Sequence, residues 1–211
     1  LPRVRASLEM LGTDPERLEI LFVQFVSLRR GGEPVQMSTR AGQFEELSKV
    51  VDEVGVDAAR FFFLMRSPDS ALEFDLDLAK EQSSENPVYY VQYAHARTCS
   101  LFRQAGERGV EVSGSPEIPA GGLSLPEEHA LARVVLEWPE TVRLAAERLE
   151  PHRVAFYLVS LAKQFHAYYN RHRVLDQEPK TTEARLQLTR CLQIVLKNGL
   201  ELLGVSAPEK M

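Results

Sequence analysis

Asn86-Pro87-Val88-Tyr89-Tyr90-Val91-Gln92-Tyr93-Ala94-His95-Ala96-Arg97-Thr98-Cys99-Ser100-Leu101-Phe102-Arg103-Gln104-Ala105 is the stretch whose reading decides the fold. An Asn at the N-cap followed by Pro at the first helical position opens a helix: the Asn side chain accepts from an early backbone N–H, and Pro has no N–H to leave unsatisfied. Gly106 and Gly109 end it. On a 3.6-residue period Val91, Thr98 and Phe102 share one side, and Tyr90, Tyr93 and Arg97 share an arc about 100° away. Two faces imply two tasks. If the first packs, the second presents two phenol rings and a guanidinium, groups that stack unpaired bases and bond their edges. The competing reading buries both rings against a neighbouring helix and pairs Arg97 with a carboxylate.

Downstream, helix signals continue and strand signals are absent. Residues 109 to 123 are rich in Gly, Pro and Ser and read as an exposed loop. Ser124-Leu125-Pro126-Glu127 fits a capping box that opens a second helix, with Leu131, Val134, Val135, Trp138 and Val142 as its stripe and a break at Pro139. Pro151 opens a third, in which Val154, Leu158, Leu161, Phe165, Tyr168 and His172 form a packing seam. The fourth runs from about Thr182 to Leu203, with Leu188, Leu192, Val195, Leu196, Leu200 and Leu203 inward and Gly204 as its stop. From Asn86 onward the chain is therefore expected to be an all-α bundle.

Upstream the pattern is mixed. Pro2 to Leu11 reads as a helix already under way before Gly12, so the chain is expected to be cut from something longer. Leu18 to Leu28 is almost continuously apolar, as a strand buried on both faces would be, and Gly31-Gly32 turns the chain. A polar loop spans Val35 to Gly42. Glu45 to Val54, with Leu47, Val50, Val51 and Val54 apolar, reads as a helix stopped by Gly55. Asp57 is read as the cap of a second, Ala58 to Met65, ending before Ser67-Pro68, and Leu72 to Asp75 alternates like a half-buried strand. The fold class is mainly α: a helical bundle preceded by a small α/β part.

With 44% hydrophobic and 26% charged residues, the chain is too apolar to be disordered. A formal net charge of −5 excludes a protein that grips nucleic acid by bulk positive potential alone. Yet residues 86 to 106 hold Arg97 and Arg103 with no acid, and residues 151 to 175 hold Arg153, Lys163, Arg171 and Arg173 with none either. That segregation points to specific contacts with phosphate and base; a solvated charged face is the alternative. Cys99 and Cys191 lack metal-ligand spacing and read as buried apolar thiols, with neither disulfide nor zinc site. His95, His152, His166 and His172 lack the serine or carboxylate neighbours of a catalytic or metal site and read as structural or RNA-contacting. No run is apolar enough to span a membrane and no signal-peptide pattern opens the chain, so the cytoplasm is the expected location; the protein is also expected to be a monomer.

Glu85-Asn86-Pro87-Val88-Tyr89-Tyr90-Val91-Gln92-Tyr93-Ala94-His95-Ala96-Arg97 closely resembles the opening of the anticodon-binding domain of arginyl-tRNA synthetases. So do Gly55-Val56-Asp57-Ala58-Ala59-Arg60, Met65-Arg66-Ser67-Pro68-Asp69-Ser70, Phe74-Asp75-Leu76-Asp77 and the ending Val195 to Val205; the likeness covers nearly the whole chain. The resemblance implies a division into 1–65, the end of a class I catalytic domain, 66–84, a linker along the tRNA stem, and 85–211, the helical anticodon-binding domain. It implies that Tyr90, Tyr93 and Arg97 contact the anticodon loop, with Met211 and its carboxylate nearby if no residue follows.

Gln36-Met37-Ser38-Thr39-Arg40 stands where class I synthetases carry the ATP-binding Lys-Met-Ser-Lys-Ser loop, with both lysines replaced and Arg40 as the substitute cation. The His-Ile-Gly-His signature does not occur in this sequence. The resemblance thus implies an arginine–tRNA ligase whose full-length form uses ATP, Mg²⁺, arginine and arginine tRNA. This portion is expected to hold no catalytic residue, metal or cofactor of its own and to be inactive alone. The rivals are a non-catalytic RNA-binding module derived from a synthetase and a helical scaffold for protein partners.

Overall fold

Two glycines shape the first part of the chain in the computed structural model, which describes residues 1–35, 45–110 and 117–211. Gly31 and Gly32 both take positive φ, 61° and 78°, the requirement of a two-residue hairpin turn whose twist matches its strands. The turn joins β1, Val26–Arg30, to β2, Glu33–Pro34, antiparallel. The Gly31 N–H donates to Asp77 Oδ2 at 2.5 Å, which fixes the turn. Strand β3, Leu72–Asp75, lies parallel to β1 on its other side, with Leu28 opposite Phe74, giving the order β2-β1-β3. The ATP-loop residues Gln36 to Arg40 lie outside the described residues, as do 111–116 of the expected 109–123 loop.

Preceding and linking these strands are α1, Pro2–Met10, a single 3-10 turn at Pro15–Arg17, α2, Leu47–Val54, and α3, Val56–Leu64; α4, Leu76–Lys80, follows β3. Asp75 caps α4, its Oδ1 accepting from the Asp77 and Leu78 amides at 3.0 and 3.1 Å. Phe61, Phe74 and Leu76 are completely buried at this centre. Three expectations need correction. Of the apolar run only Val26 to Leu28 lies in a strand, β1; Phe22 and Phe25 are 72% and 95% exposed. A strand persists only where a neighbour takes its backbone groups, and here pairing reaches no further back than the Gln24 amide, which donates to the Pro68 carbonyl. Leu47 is 63% exposed, off the inward stripe. Asp57 is not a cap: Gly55 holds the N-cap position of α3, and the Asp57 carboxylate reaches the far end of the chain.

The bundle consists of α5, Pro87–Glu107; α6, Pro126–Leu136; α7, Trp138–Glu147; α8, His152–Arg171; and α9, Pro179–Leu202. No strand is assigned beyond Asp75 among the described residues. Helix α5 packs on α8 and α9, while α6 and α7 lie against α8. The seam of α8 is inward as expected, with Val154, Leu158, Leu161, Phe165 and Tyr168 all buried; His172 lies just past the helix end. On α9 Leu188, Leu192, Val195, Leu196 and Leu200 are buried, and a Cβ at Gly199 would come within 2.5 Å of Leu158, so glycine sets how closely these helices approach. The expected second helix is two, broken between Leu136 and Trp138 with Pro139 in the first turn of α7. The expected capping box is reduced to its returning half and displaced by one residue: Glu128, not Glu127, accepts from the Ser124 and Leu125 amides at 2.8 and 2.9 Å, because Pro126 at the first helical turn makes Leu125 the N-cap, whose apolar side chain accepts no hydrogen bond. Cys99 is buried, whereas Cys191 is partly exposed.

Candidate nucleic-acid interface

The phase of α5 is set at its start. Asn86 Oδ1 accepts from the Val88 amide at 3.2 Å, and its Nδ2 donates to the Ala79 and Glu81 carbonyls at 3.1 and 2.8 Å, so the cap also ties the helix to α4. Val91, Ala94, Thr98, Leu101 and Ala105 then fall inward. Tyr90, Tyr93 and Arg97 come out half-buried, neither sealed in the bundle nor free in solvent. Phe102, expected beside Val91 and Thr98, is half-buried under the Arg190 guanidinium, 4.1 Å from its ring centre.

Arg97 is held by rings. Its guanidinium carbon lies 4.5 Å from the ring centres of both Tyr93 and Tyr169, the latter from α8. Its Nη2 donates to the Tyr93 hydroxyl at 3.0 Å and its Nη1 to His166 Nδ1 at 2.9 Å. The other nitrogen of His166 lies 3.1 Å from the Tyr90 carbonyl oxygen. The imidazole stacks on Tyr93, with ring centres 5.6 Å apart, and tilts against Tyr90 at 4.5 Å. Burial, helped by the guanidinium beside it, pushes His166 below the ordinary histidine range against the opposing pull of the Tyr90 carbonyl. Burial likewise raises the Tyr90 phenol. No ion pair ties Arg97 to a carboxylate among the described residues, so the partner foreseen by the packing alternative is replaced by a neutral imidazole and two aromatic faces.

Along another side of α5 runs the end of the chain. Gly204, at φ 67°, stops α9, and the Val205 amide returns to the Leu200 carbonyl. Asp57 accepts from the Ser206 amide at 3.1 Å and from the Ser206 hydroxyl. Gln92 Nε2 donates to Asp57 Oδ2 at 2.8 Å and to the Ser206 carbonyl at 3.0 Å. His95 Nδ1 meets the Pro208 carbonyl at 2.9 Å, and Arg103 Nη1 donates to the Glu209 carbonyl at 3.1 Å. Residues 206 to 209 are thereby laid along α5.

A groove of about 400 Å³ results, lined by Tyr93, Ala96, Arg97, Ser100, Arg103, Tyr169, Lys210 and Met211. Three of the four residues singled out as RNA contacts, Tyr93, Arg97 and Met211, line it; Tyr90 stands behind them against His166. Tyr169 and Lys210 were not singled out, although Tyr169 lies in the acid-free segment 151–175. Of that segment's cations, Arg153 is neutralised by Glu150, just outside it. Among the described residues no group of three His, Cys, Asp or Glu comes together to hold a metal, and no helix is long and apolar enough to cross a membrane.

Comparison with known proteins places the chain in a family. The chain is 56% identical over its whole length to an arginine–tRNA ligase of Syntrophotalea carbinolica, of which it spans 38%. It superposes on a Campylobacter jejuni structure assigned as an arginyl-tRNA synthetase with a TM-score of 0.81 at 35% identity, covering all of this chain and 45% of that one. Against the arginyl-tRNA synthetase of Thermus thermophilus the TM-score is 0.73 at 30% identity, covering 99% of this chain and 38% of that one. Residues 91–211, which supply both walls of the groove and its terminal Met211, match the DALR anticodon binding domain, and the chain belongs to that family.

Proposed function

We propose that this chain is the C-terminal part of an arginine–tRNA ligase and that its groove holds the anticodon loop of arginine tRNA. The observation that carries the reading is Arg97: a cation sandwiched between Tyr93 and Tyr169, with no carboxylate in reach among the described residues, beside an open groove. Aromatic faces stack bases of any identity, while the remaining guanidinium N–H groups and Lys210 are donors for base edges and phosphate. Tyr93, Arg97 and Met211 act directly; Tyr90 supports them through His166. Within the longer enzyme, residues 1–65 close the catalytic domain, 66–84 lie along the tRNA stem and 85–211 read the anticodon. ATP, Mg²⁺ and arginine act through the rest of the polypeptide, with Gln36 to Arg40 as a reduced ATP loop, and the enzyme works as a cytoplasmic monomer. The chemistry there is attack of the arginine carboxylate on the ATP α-phosphate with release of pyrophosphate, then transfer of the arginyl group to a hydroxyl of the tRNA terminal ribose with release of AMP, and the chain alone performs neither step.

Binding of arginine tRNA and of its anticodon variants to this chain tests the reading. Tyr93→Ala and Arg97→Ala should each weaken binding by about 1–3 kcal/mol if bases stack there, with the thermal transition little changed. Equal affinity for arginine tRNA and for a tRNA with an unrelated anticodon would favour the alternative of a non-catalytic RNA-binding module derived from a synthetase. Unfolding of both variants with residual binding intact would favour a purely structural role for these rings.

A further inference from the structure

The geometry points to His166 as the positioning residue of the anticodon groove: a neutral imidazole, protonated on Nε2 alone, that sets the Arg97 guanidinium for RNA and lets it go when it takes a second proton. The inference rests on the anticodon reading above. Its first support is directional. A guanidinium only donates, so His166 Nδ1, 2.9 Å from Arg97 Nη1, must accept. A backbone carbonyl only accepts, so His166 Nε2, 3.1 Å from the Tyr90 oxygen, must donate. Both neighbours demand the same tautomer.

The second support is confinement. His166 is 5% exposed, stacked on Tyr93 and tilted against Tyr90 and Phe165. Among the described residues the titratable or charged groups that face it are Tyr90, Tyr93 and Arg97, all on α5, and no carboxylate is within ion-pair distance of the ring. A second proton on Nδ1 would point at the guanidinium, exchange a hydrogen bond for a donor–donor contact and set two cations together in a desolvated place. Of the two, Arg97 is the one with open space beside it, because it lines the groove while the imidazole is enclosed. The burial and adjacent cation that depress His166 act in the same sense. A depressed histidine gives a contribution that is complete above its unfolded value, near 6.5, and is lost as pH falls through the lower folded value. Tight RNA binding should hold at neutral and alkaline pH, where Nδ1 is free to accept from Arg97, and weaken as the ring takes its second proton.

The test has two arms. In the RNA-free chain, ¹⁵N shifts of the His166 ring report its tautomer at pH 7.5, and the Nε2–H form is expected. Affinity for arginine tRNA is then measured from pH 7.5 to 5.5 for wild type, His166→Asn, His166→Gln and His166→Phe, with thermal melting alongside. The Asn amide reaches the position of Nδ1, where its oxygen can accept from Arg97; the longer Gln amide reaches the position of Nε2, where its NH2 can donate to the Tyr90 carbonyl; Phe does neither. The expected order of affinity at pH 7.5 is wild type, Asn, Gln, Phe, with the last on the order of tenfold weaker, the scale of a hydrogen bond to a charged group. Wild type should lose affinity on acidification in a step that is absent from the Asn variant. An Nδ1–H ring, an Asn variant that keeps the wild-type acid step, or Gln equal to Asn would each overturn the assignment, even where Phe does not fold. If wild type binds no tRNA at any pH, the anticodon reading falls, and the ring shifts still decide whether the clasp exists.

Discussion

Glu128 has no exposed surface, yet its carboxylate has more partners than most surface acids. Burial pushes it toward protonation, but the Leu125 and Ser124 amides, the Arg185 guanidinium at 2.6 Å and the charge of that guanidinium hold it below the ordinary glutamate range. The Tyr168 hydroxyl donates to it at 3.1 Å, and Arg185 Nη1 donates to the Arg173 carbonyl at 2.7 Å, so one buried acid joins α6, α8, α9 and the chain that follows α8. Glu128→Ala should cost about 3–5 kcal/mol, because it strands a buried guanidinium, and chemical denaturation with Tyr157 and Trp138 fluorescence would read the loss. The sign with pH follows from the direction of the shift. A depressed acid contributes fully above its unfolded value near 4.5 and loses that contribution as pH falls through the lower folded value. The variant's stability should thus be flatter than wild type below pH ~4.5; parallel curves would mean that this carboxylate does not govern the acid limb. At this scale the sequence spoke unevenly. Tyr90, Tyr93 and Arg97 share an arc because a helical repeat puts them there, which any reading of α5 yields. That His166 and Tyr169 complete the cluster depends on how α8 docks, and periodicity within one helix carries no information about which residue of another it will face.

The elements themselves were largely written in local signals. Asn86-Pro87 starts α5 and Gly204 ends the last helix because each satisfies the backbone groups a helix terminus leaves over. Where local signals compete, position slips: Ser124 and Leu125 both precede acids at the right spacing, and Pro126 decides for Leu125. The long apolar run before Arg30 shows the converse, since apolar composition announces a buried surface without supplying the neighbour that buries it. Least legible was the terminal segment 205–211, which has no period and is defined by side chains from α3 and α5. Asp57, readable from sequence as a cap, is its anchor. Asp57→Ala should leave the bundle folded, raise amide hydrogen exchange at Val205 and Ser206, and weaken tRNA binding by about 1 kcal/mol, the net worth of a hydrogen bond, through misplacement of Met211 and Lys210. Unchanged exchange at those amides would show that the segment is held without Asp57.

On the scale of the whole molecule the question is how a chain of net charge −5 holds a polyanion. Part of the acidic charge is held in ion pairs away from the groove: Glu53 with Arg30 and Lys80, Glu140 and Glu147 with Arg143, and Glu150 with Arg153. Each such pair removes a cation from the set available to phosphate as well as an anion. The groove retains Arg97, Arg103 and Lys210, with aromatic rings between them. Stacking on Tyr93 and Tyr169 is insensitive to salt, whereas each phosphate neutralised on a single strand contributes about −0.7 to the slope of log K against log salt. Three cations at the groove then imply a slope of roughly −2 for the anticodon loop alone, far shallower than that of a protein relying on bulk positive potential. Titrating an isolated anticodon stem-loop from 50 to 300 mM KCl measures it. A slope near zero would remove the cations from the interface, and one several times steeper would mean that RNA lies across a much wider surface than this groove. A shallow slope, joined to a large loss on Tyr93→Ala, is the signature of a site that selects by base stacking and fixed donors and uses charge mainly to orient the strand.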